Sequence, residues 1–233
     1  GGADPAFGDS SETTSGSGSS GSGGATGSSS GSGASTAGSC DTTLPWTGDD
    51  NRAASSAPPN GLAQAEVPMF VTIGWDDNGY PDSMQWALDF MSGRSNPGGS
   101  NPCTYDGAPA THTFFNTTTY ISQQGGTDPV ALKKAWNEAW SQGHEIGNHT
   151  HLHEHGSGFT SQQWETAIGT CMDWLTKPFD PNQNTSNDTS GAGIPIEEIW
   201  GFRTPFLEYN NALFPVLQSR DFWYDCSIED GWH

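Results

Sequence analysis

The residues with the most chemical content are two groups. Five of the chain's seven histidines fall in the run His-Glu-Ile-Gly-Asn-His-Thr-His-Leu-His-Glu-His from His144 to His155, and upstream an acidic pair, Asp76-Asp77, ends an apolar stretch. A divalent metal used in hydrolysis wants three protein ligands of imidazole and carboxylate type, with a fourth position left to water. His149 and His153 share one face if their segment turns helical, and Asp77 could complete the set. An ideal strand sends adjacent aspartates to opposite sides, so only a turn brings Asp76 and Asp77 into one site. One would then hold the metal and the other would act as general base. Arg203, in Gly-Phe-Arg-Thr-Pro-Phe, comes at a strand end where Pro205 fixes the turn, and could orient a carboxylate by a bidentate bond. Each group has a plainer reading. Asp-Asp-Asn-Gly is ordinary turn composition, a histidine run can be surface loop, and an arginine can simply be solvated. Together they point to a metal-dependent hydrolase.

These side chains need elements to position them. Val67 to Trp75 reads as a strand delivering the acidic pair at its C-terminal end, where parallel α/β sheets place active sites. Pro81 to Met91 reads as a helix and Ala110 to Asn116 as the second strand. Asp128 caps a helix with Pro129 in its first turn and Gly143 just past its end. His144 to Gly147 is the third strand, and Thr160 with Gln163 forms a capping box opening a helix through Leu175. Glu198 to Arg203 is a further strand, Asn211 to Arg220 a helix that Pro215 should shorten, and Phe222 to Asp225 begins another strand. Alternating strands and helices imply a parallel sheet, doubly wound or rolled into a barrel. Four or five such units are too few to close a barrel, so the expected domain is cut short at its C-terminus.

Composition narrows the partners. Seven Lys plus Arg against twenty-seven Asp plus Glu give a formal charge of −20, which disfavours nucleic acid and anionic membranes. A neutral, hydroxyl-rich polymer suits that field, and exposed members of the ten tryptophans would suit stacking on sugar rings. Residues 1–39 are expected to form a Gly/Ser-rich disordered linker and residues 40–233 the folded domain. Cys40, Cys103, Cys171 and Cys226 show no CxxC spacing, and two disulfides of open connectivity are expected, with buried thiols as the alternative. No apolar run is long enough to span a membrane.

In order along the chain, Gly74-Trp75-Asp76-Asp77-Asn78, His149-Thr150-His151-Leu152-His153 and Arg203-Thr204-Pro205-Phe206 resemble the three motifs of the polysaccharide deacetylases. These are the NodB-like family-four carbohydrate esterases, and the flanks look most like their chitin deacetylase branch. The family pattern is Thr-Phe-Asp-Asp-Gly, then His-Ser/Thr-x-x-x-His, then Arg-x-Pro-Tyr/Phe. Gly74, Trp75 and Asn78 depart from the first motif without removing a carboxylate. The resemblance implies a distorted (β/α) barrel of the NodB type. It makes Asp76 the general base, Asp77, His149 and His153 ligands of Zn2+ or a similar divalent transition metal, and Arg203 the partner of Asp76. The backbone N–H of Phe206 would help stabilise the oxyanion. The family's general acid is expected beyond His233. On this resemblance the chain is expected to be a secreted or cell-surface-tethered monomeric deacetylase acting on an acetylated polysaccharide, most simply N-acetylglucosamine polymers such as chitin or peptidoglycan. An O-deacetylase of acetylated xylan and a non-catalytic glycan-binding module remain open alternatives.

Overall fold

The computed structural model describes residues 63–67, 71–99, 105–122, 128–185 and 187–228. The expected linker over 1–39, together with Cys40 and Cys103, lies outside them. Five strands form one sheet in the order β1-β2-β3-β4-β5, namely Gly74–Asp77, Thr113–Asn116, Glu145–Asn148, Gly201–Phe202 and Tyr224–Asp225. Every neighbouring pair is parallel. A doubly wound sheet reverses its strand order at a switch point. The strictly sequential order here is instead the winding of a (β/α) barrel wall.

The helices are α1 (Pro81–Met91), α2 (Pro129–Ser141), α3 (Ser161–Thr176) and α4 (Phe214–Ser219). Two begin as their sequences require. Asp128 accepts from the N–H groups of Val130 and Ala131 at the start of α2, and Thr160 and Gln163 exchange hydrogen bonds as a capping box at the start of α3, occupying donors that a helix start otherwise leaves unpaired. Pro215 does not disrupt α4, because it stands in the first turn, where its missing N–H would have no intrahelical partner. The helix therefore starts at Phe214 rather than Asn211.

Among the described residues β2, β4 and β5 are shorter than expected, while β3 keeps its expected length one residue further along. Among the described residues, Val71 to Ile73 are not part of β1: the paired register starts at Gly74↔Thr113, although the Ile73 carbonyl still accepts the Thr113 N–H at 3.0 Å, and Val71 is 72 % exposed. β2 starts at Thr113 rather than Ala110 because the N–H of His112 donates to the ring Nδ1 of His144, not to a strand carbonyl. Side chains alternate across the sheet. Phe114, Ile146 and Phe202 join the core with Leu88, Leu132, Trp136, Trp164 and Ile168 of the helices. The other face carries Phe115, which lies edge-on to Tyr224. There Gly147 is required by close approach, since a Cβ would sit 2.6 Å from the Phe115 ring.

Cys171 and Cys226 are free thiols, so the expected pair of disulfides does not form through them, while Cys40 and Cys103 lie outside the described residues. Cys171 is wholly buried in the core, with its Sγ 3.5 Å from the Asn116 carbonyl. Burial pushes its thiol up to about 12, which keeps it protonated and unreactive. Among the described residues, no helix is long and apolar enough to cross a membrane.

Candidate metal centre

The site lies at the C-terminal ends of the strands. β1 ends in a sharp reversal. Asp77 and Asn78 have φ of 67° and 54°, and the Asn78 N–H donates to the Asp76 carbonyl at 2.8 Å. An i to i+2 bond around a residue of positive φ is a γ-turn in its rarer, strained form. This turn resolves the conflict between adjacent aspartates. Asp76 reaches Arg203, with Oδ1 2.9 Å from Nη1, while Asp77 turns toward the histidines.

Asn78 holds the turn, a role that reading the sequence missed. Its amide donates to the carbonyls of Trp75 (3.0 Å) and Phe115 (3.1 Å) and to Asn116 Oδ1 (2.8 Å). Its own carbonyl accepts from the indole N–H of the fully buried Trp136 at 3.1 Å. Asparagine is the non-glycine residue best suited to the left-handed region, so the departure from the family glycine keeps the conformation and adds anchors. That position, directly after the acidic pair at a strand end, was the available signal.

The two candidate histidines come from the loop after β3. His149 and His153 meet without a helix, because residues 149–153 have no helical structure. Thr150 and His153 have φ of 65° and 56°, so a compact turn replaces the expected helical face. Buried Asn148 organises it, accepting from the Thr150 N–H at 2.9 Å and donating to the Ile168 carbonyl at 3.1 Å. Asn148-His149-Thr150 and Asn116-Thr117-Thr118 have the Asn-x-Thr form of glycosylation sequons, but both asparagines are fully buried and inaccessible.

His149 is 2 % exposed, and its Nδ1 lies 2.7 Å from the Arg203 carbonyl. A carbonyl can only accept, so Nδ1 carries the proton and Nε2 offers its lone pair. Asp77 Oδ1 lies 3.0 Å from His153 Nε2 and 3.8 Å from His149 Nε2, and ligand atoms of all three residues lie within 4.8 Å of one another. Asp77 Oδ1 is buried and makes no well-formed hydrogen bond, its close contact with His153 included. A buried carboxylate oxygen facing two ring nitrogens without a well-formed bond suits a cation between them, and one oxygen with two imidazoles is a zinc-type donor set.

The electrostatics of the metal-free chain agree. The His153 imidazole holds the Asp77 carboxyl below its usual range against the opposing effect of burial, and Asp77 in turn raises His153. Burial lowers His149, favouring the neutral ring that a metal requires, against the raising effect of the Arg203 carbonyl.

The other histidines have separate partners. His144 is buried against His112, with ring centroids 5.6 Å apart. His151 Nδ1 pairs with Thr118 Oγ1 at 2.9 Å. His155 stacks on Phe206 at 4.0 Å and pairs with Glu208 at 3.0 Å. Phe206, with φ of 56°, also sets its ring against His153 at 4.5 Å, so the turn after Pro205 borders the triad. Arg203 lies over the Phe115 ring at 4.6 Å, and a Cβ on Gly74 would come within 3.4 Å of its guanidinium.

Residues 107–222 match the family model described as polysaccharide deacetylase. That segment holds His149, His153, Arg203 and Phe206, while Asp76 and Asp77 precede it. Chitin deacetylase 8 of Bombyx mori is 30 % identical over 179 residues, an alignment covering 76 % of this chain and 40 % of that protein. This chain therefore spans well under half the length of that curated relative. Among solved structures, a family 4 carbohydrate esterase from Streptomyces lividans in complex with acetate aligns with a TM-score of 0.45 and 18 % identity, over 67 % of this chain and 60 % of its own. A peptidoglycan deacetylase from Bacillus subtilis gives 0.44 and 15 %, over 66 % and 56 %. By its family match and its curated relative, the chain belongs to the polysaccharide deacetylase family.

Proposed function

We propose that this domain is a metal-dependent N-deacetylase of N-acetylglucosamine polymers, with chitin-like chains as the first substrate to test. One observation carries the reading: a carboxylate paired with an arginine, Asp76 with Arg203, is adjacent in sequence to the carboxylate of an Asp-His-His cluster, and a strained turn separates their roles. A binding protein gains nothing evident from that arrangement. A divalent cation bound by Asp77, His149 and His153 supplies a Lewis acid and brings the pKa of its water down toward about 7.

The remaining chemistry belongs to the chain. Asp76 is part-exposed, with 39 % of its side chain open, and takes the proton of the attacking water. Arg203 binds one oxygen of that carboxylate and so aims the other. The Phe206 N–H, on the turn bordering His153, is assigned to the developing acetyl oxyanion. The chitin assignment draws on the name of the Bombyx mori relative and on a net charge of −20 that suits an uncharged glycan.

The test is acetate release from chitin oligomers, peptidoglycan and acetylated xylan by the zinc-loaded protein, extended to the length of its relatives. Release from the N-acetylated glycans, abolished in Asp76→Asn with zinc retained, is the expected result. Absence of release from all three refutes the enzymatic reading, and release from xylan alone refutes the substrate assignment.

A further inference from the structure

The Arg203-Thr204 peptide group is held at both ends. Its carbonyl accepts the Nδ1–H of His149 at 2.7 Å, and its N–H donates to Ser227 Oγ at 2.8 Å. The Ser227 hydroxyl in turn donates to Asp225 Oδ1 through a short bond. The bonds therefore run in one direction: imidazole N–H to carbonyl, amide N–H to hydroxyl, hydroxyl to carboxylate. The chain of bonds crosses from β3 through the end of β4 to β5. His149 is 2 % exposed, and Thr204 and Ser227 are fully buried, so water does not short-circuit it. Two backbone N–H groups fix its far end: that of Ser227 donates to Asp225 Oδ1 at 2.8 Å and that of Cys226 to the Phe202 carbonyl at 2.9 Å.

We propose that Ser227 and Asp225 are positioning residues for the metal ligand His149, acting through that peptide group. The inference rests on the metal-centre reading. In a buried chain of aligned hydrogen bonds each bond polarises the next. The Asp225 carboxylate makes the Ser227 oxygen a better acceptor, the amide becomes more polarised, and the Arg203 carbonyl holds the Nδ1 proton more firmly. Outer hydrogen-bond partners of this kind fix a ligating imidazole's tautomer and strengthen its free nitrogen as a donor. Because the same residue's guanidinium binds Asp76, the relay also anchors the backbone from which the base is aimed.

The test uses this chain with zinc as the probe. Zinc affinity is measured by competition with a chromophoric chelator, and imidazole nitrogen NMR of the metal-free protein reads the His149 tautomer. Ser227→Ala is expected to weaken zinc about 10–100-fold, the range for loss of an outer partner, and to loosen the Nδ1-protonated signature. Asp225→Asn, which keeps shape and an accepting oxygen but removes the charge, weakens zinc in the same direction. Ser227→Thr restores near-native affinity. The double variant Ser227→Ala/Asp225→Asn loses no more than Ser227→Ala alone, because the relay is already cut.

A folded Ser227→Ala variant with native zinc affinity, or additive losses in the double variant, overturns the relay. If Ser227→Ala does not fold, the near-isosteric Asp225→Asn decides, and unchanged affinity there overturns the proposal. A wild-type chain that binds no zinc overturns the metal centre itself, and the relay with it, which is a distinct outcome from wild-type binding that the variants leave unchanged.

Discussion

Asn78 is the clearest place to set a local physical argument against measurement. It combines two separable contributions, a backbone at φ 54° and an amide with three oxygen neighbours. Asn78→Gly keeps the left-handed conformation without steric penalty but removes the amide. Two donor hydrogens lost at about 0.5–1.5 kcal/mol each give a cost of roughly 1–3 kcal/mol. Asn78→Ala removes the same amide and also forces a Cβ into the left-handed region, adding about 1–2 kcal/mol, for a total of roughly 2–5 kcal/mol. The ordering is therefore wild type above glycine above alanine, with the last gap about 1–2 kcal/mol. Denaturant unfolding followed by tryptophan fluorescence resolves that gap as a midpoint shift at constant slope. Zinc affinity should fall in the same order, since the turn aims Asp77. An alanine variant at least as stable as the glycine one would show that the left-handed backbone does not govern this position, and would refute the reasoning.

Further expectations concern neighbouring parts. Arg203→Lys keeps the charge but loses the planar fork that reaches Asp76 and lies on Phe115; acetate turnover should drop at least about tenfold with zinc stoichiometry unchanged, as read by steady-state kinetics beside metal analysis. Trp136→Phe removes the indole donor to the Asn78 carbonyl and should cost about 1–3 kcal/mol in unfolding free energy, because a buried acceptor is left unpaired. Burial lowers both His112 and His144 from their ordinary value of 6.5. Below that pH the unfolded chain takes up protons that the buried pair refuses, so their stabilisation is full above about pH 6.5 and declines as pH falls. Melting temperature followed from pH 7.5 to 5 should therefore fall more steeply in the wild type than in His144→Asn.

How much of this molecule is legible in its sequence depends on whether a feature is local. The capping box at Thr160 and Gln163, the Asp128 cap and the Pro129 start are short-range devices, and the structure repeats them. Strand limits are not local. β2 yields its first residues because His144 takes the His112 N–H, a contact thirty-two positions away that no periodicity records. Apolar Val71 mimics a strand but is 72 % exposed, and at Ile73 only the carbonyl joins the sheet, accepting the Thr113 N–H at 3.0 Å. The side chains of the site were legible as types in order, yet their meeting depends on positive φ at Asp77, Thr150 and His153. Helical spacing suggested a different route to the His149–His153 pair. Asn78 and Ser227 carried signals too weak to stand out alone, an asparagine after two aspartates and a serine two residues beyond another, because their importance lies in partners distant along the chain.

On the proposed function, Asp77, His149 and His153 together hold a catalytic cation. X-ray absorption at the zinc edge, combined with anomalous diffraction from a zinc-soaked crystal, tests it directly. The expected result is one zinc per chain, bound through one Asp77 oxygen and the Nε2 atoms of His149 and His153 at about 2.0–2.2 Å, with an exchangeable fourth position. Zinc bound elsewhere, a ligand set that omits either histidine, or four protein ligands with no open position would contradict it.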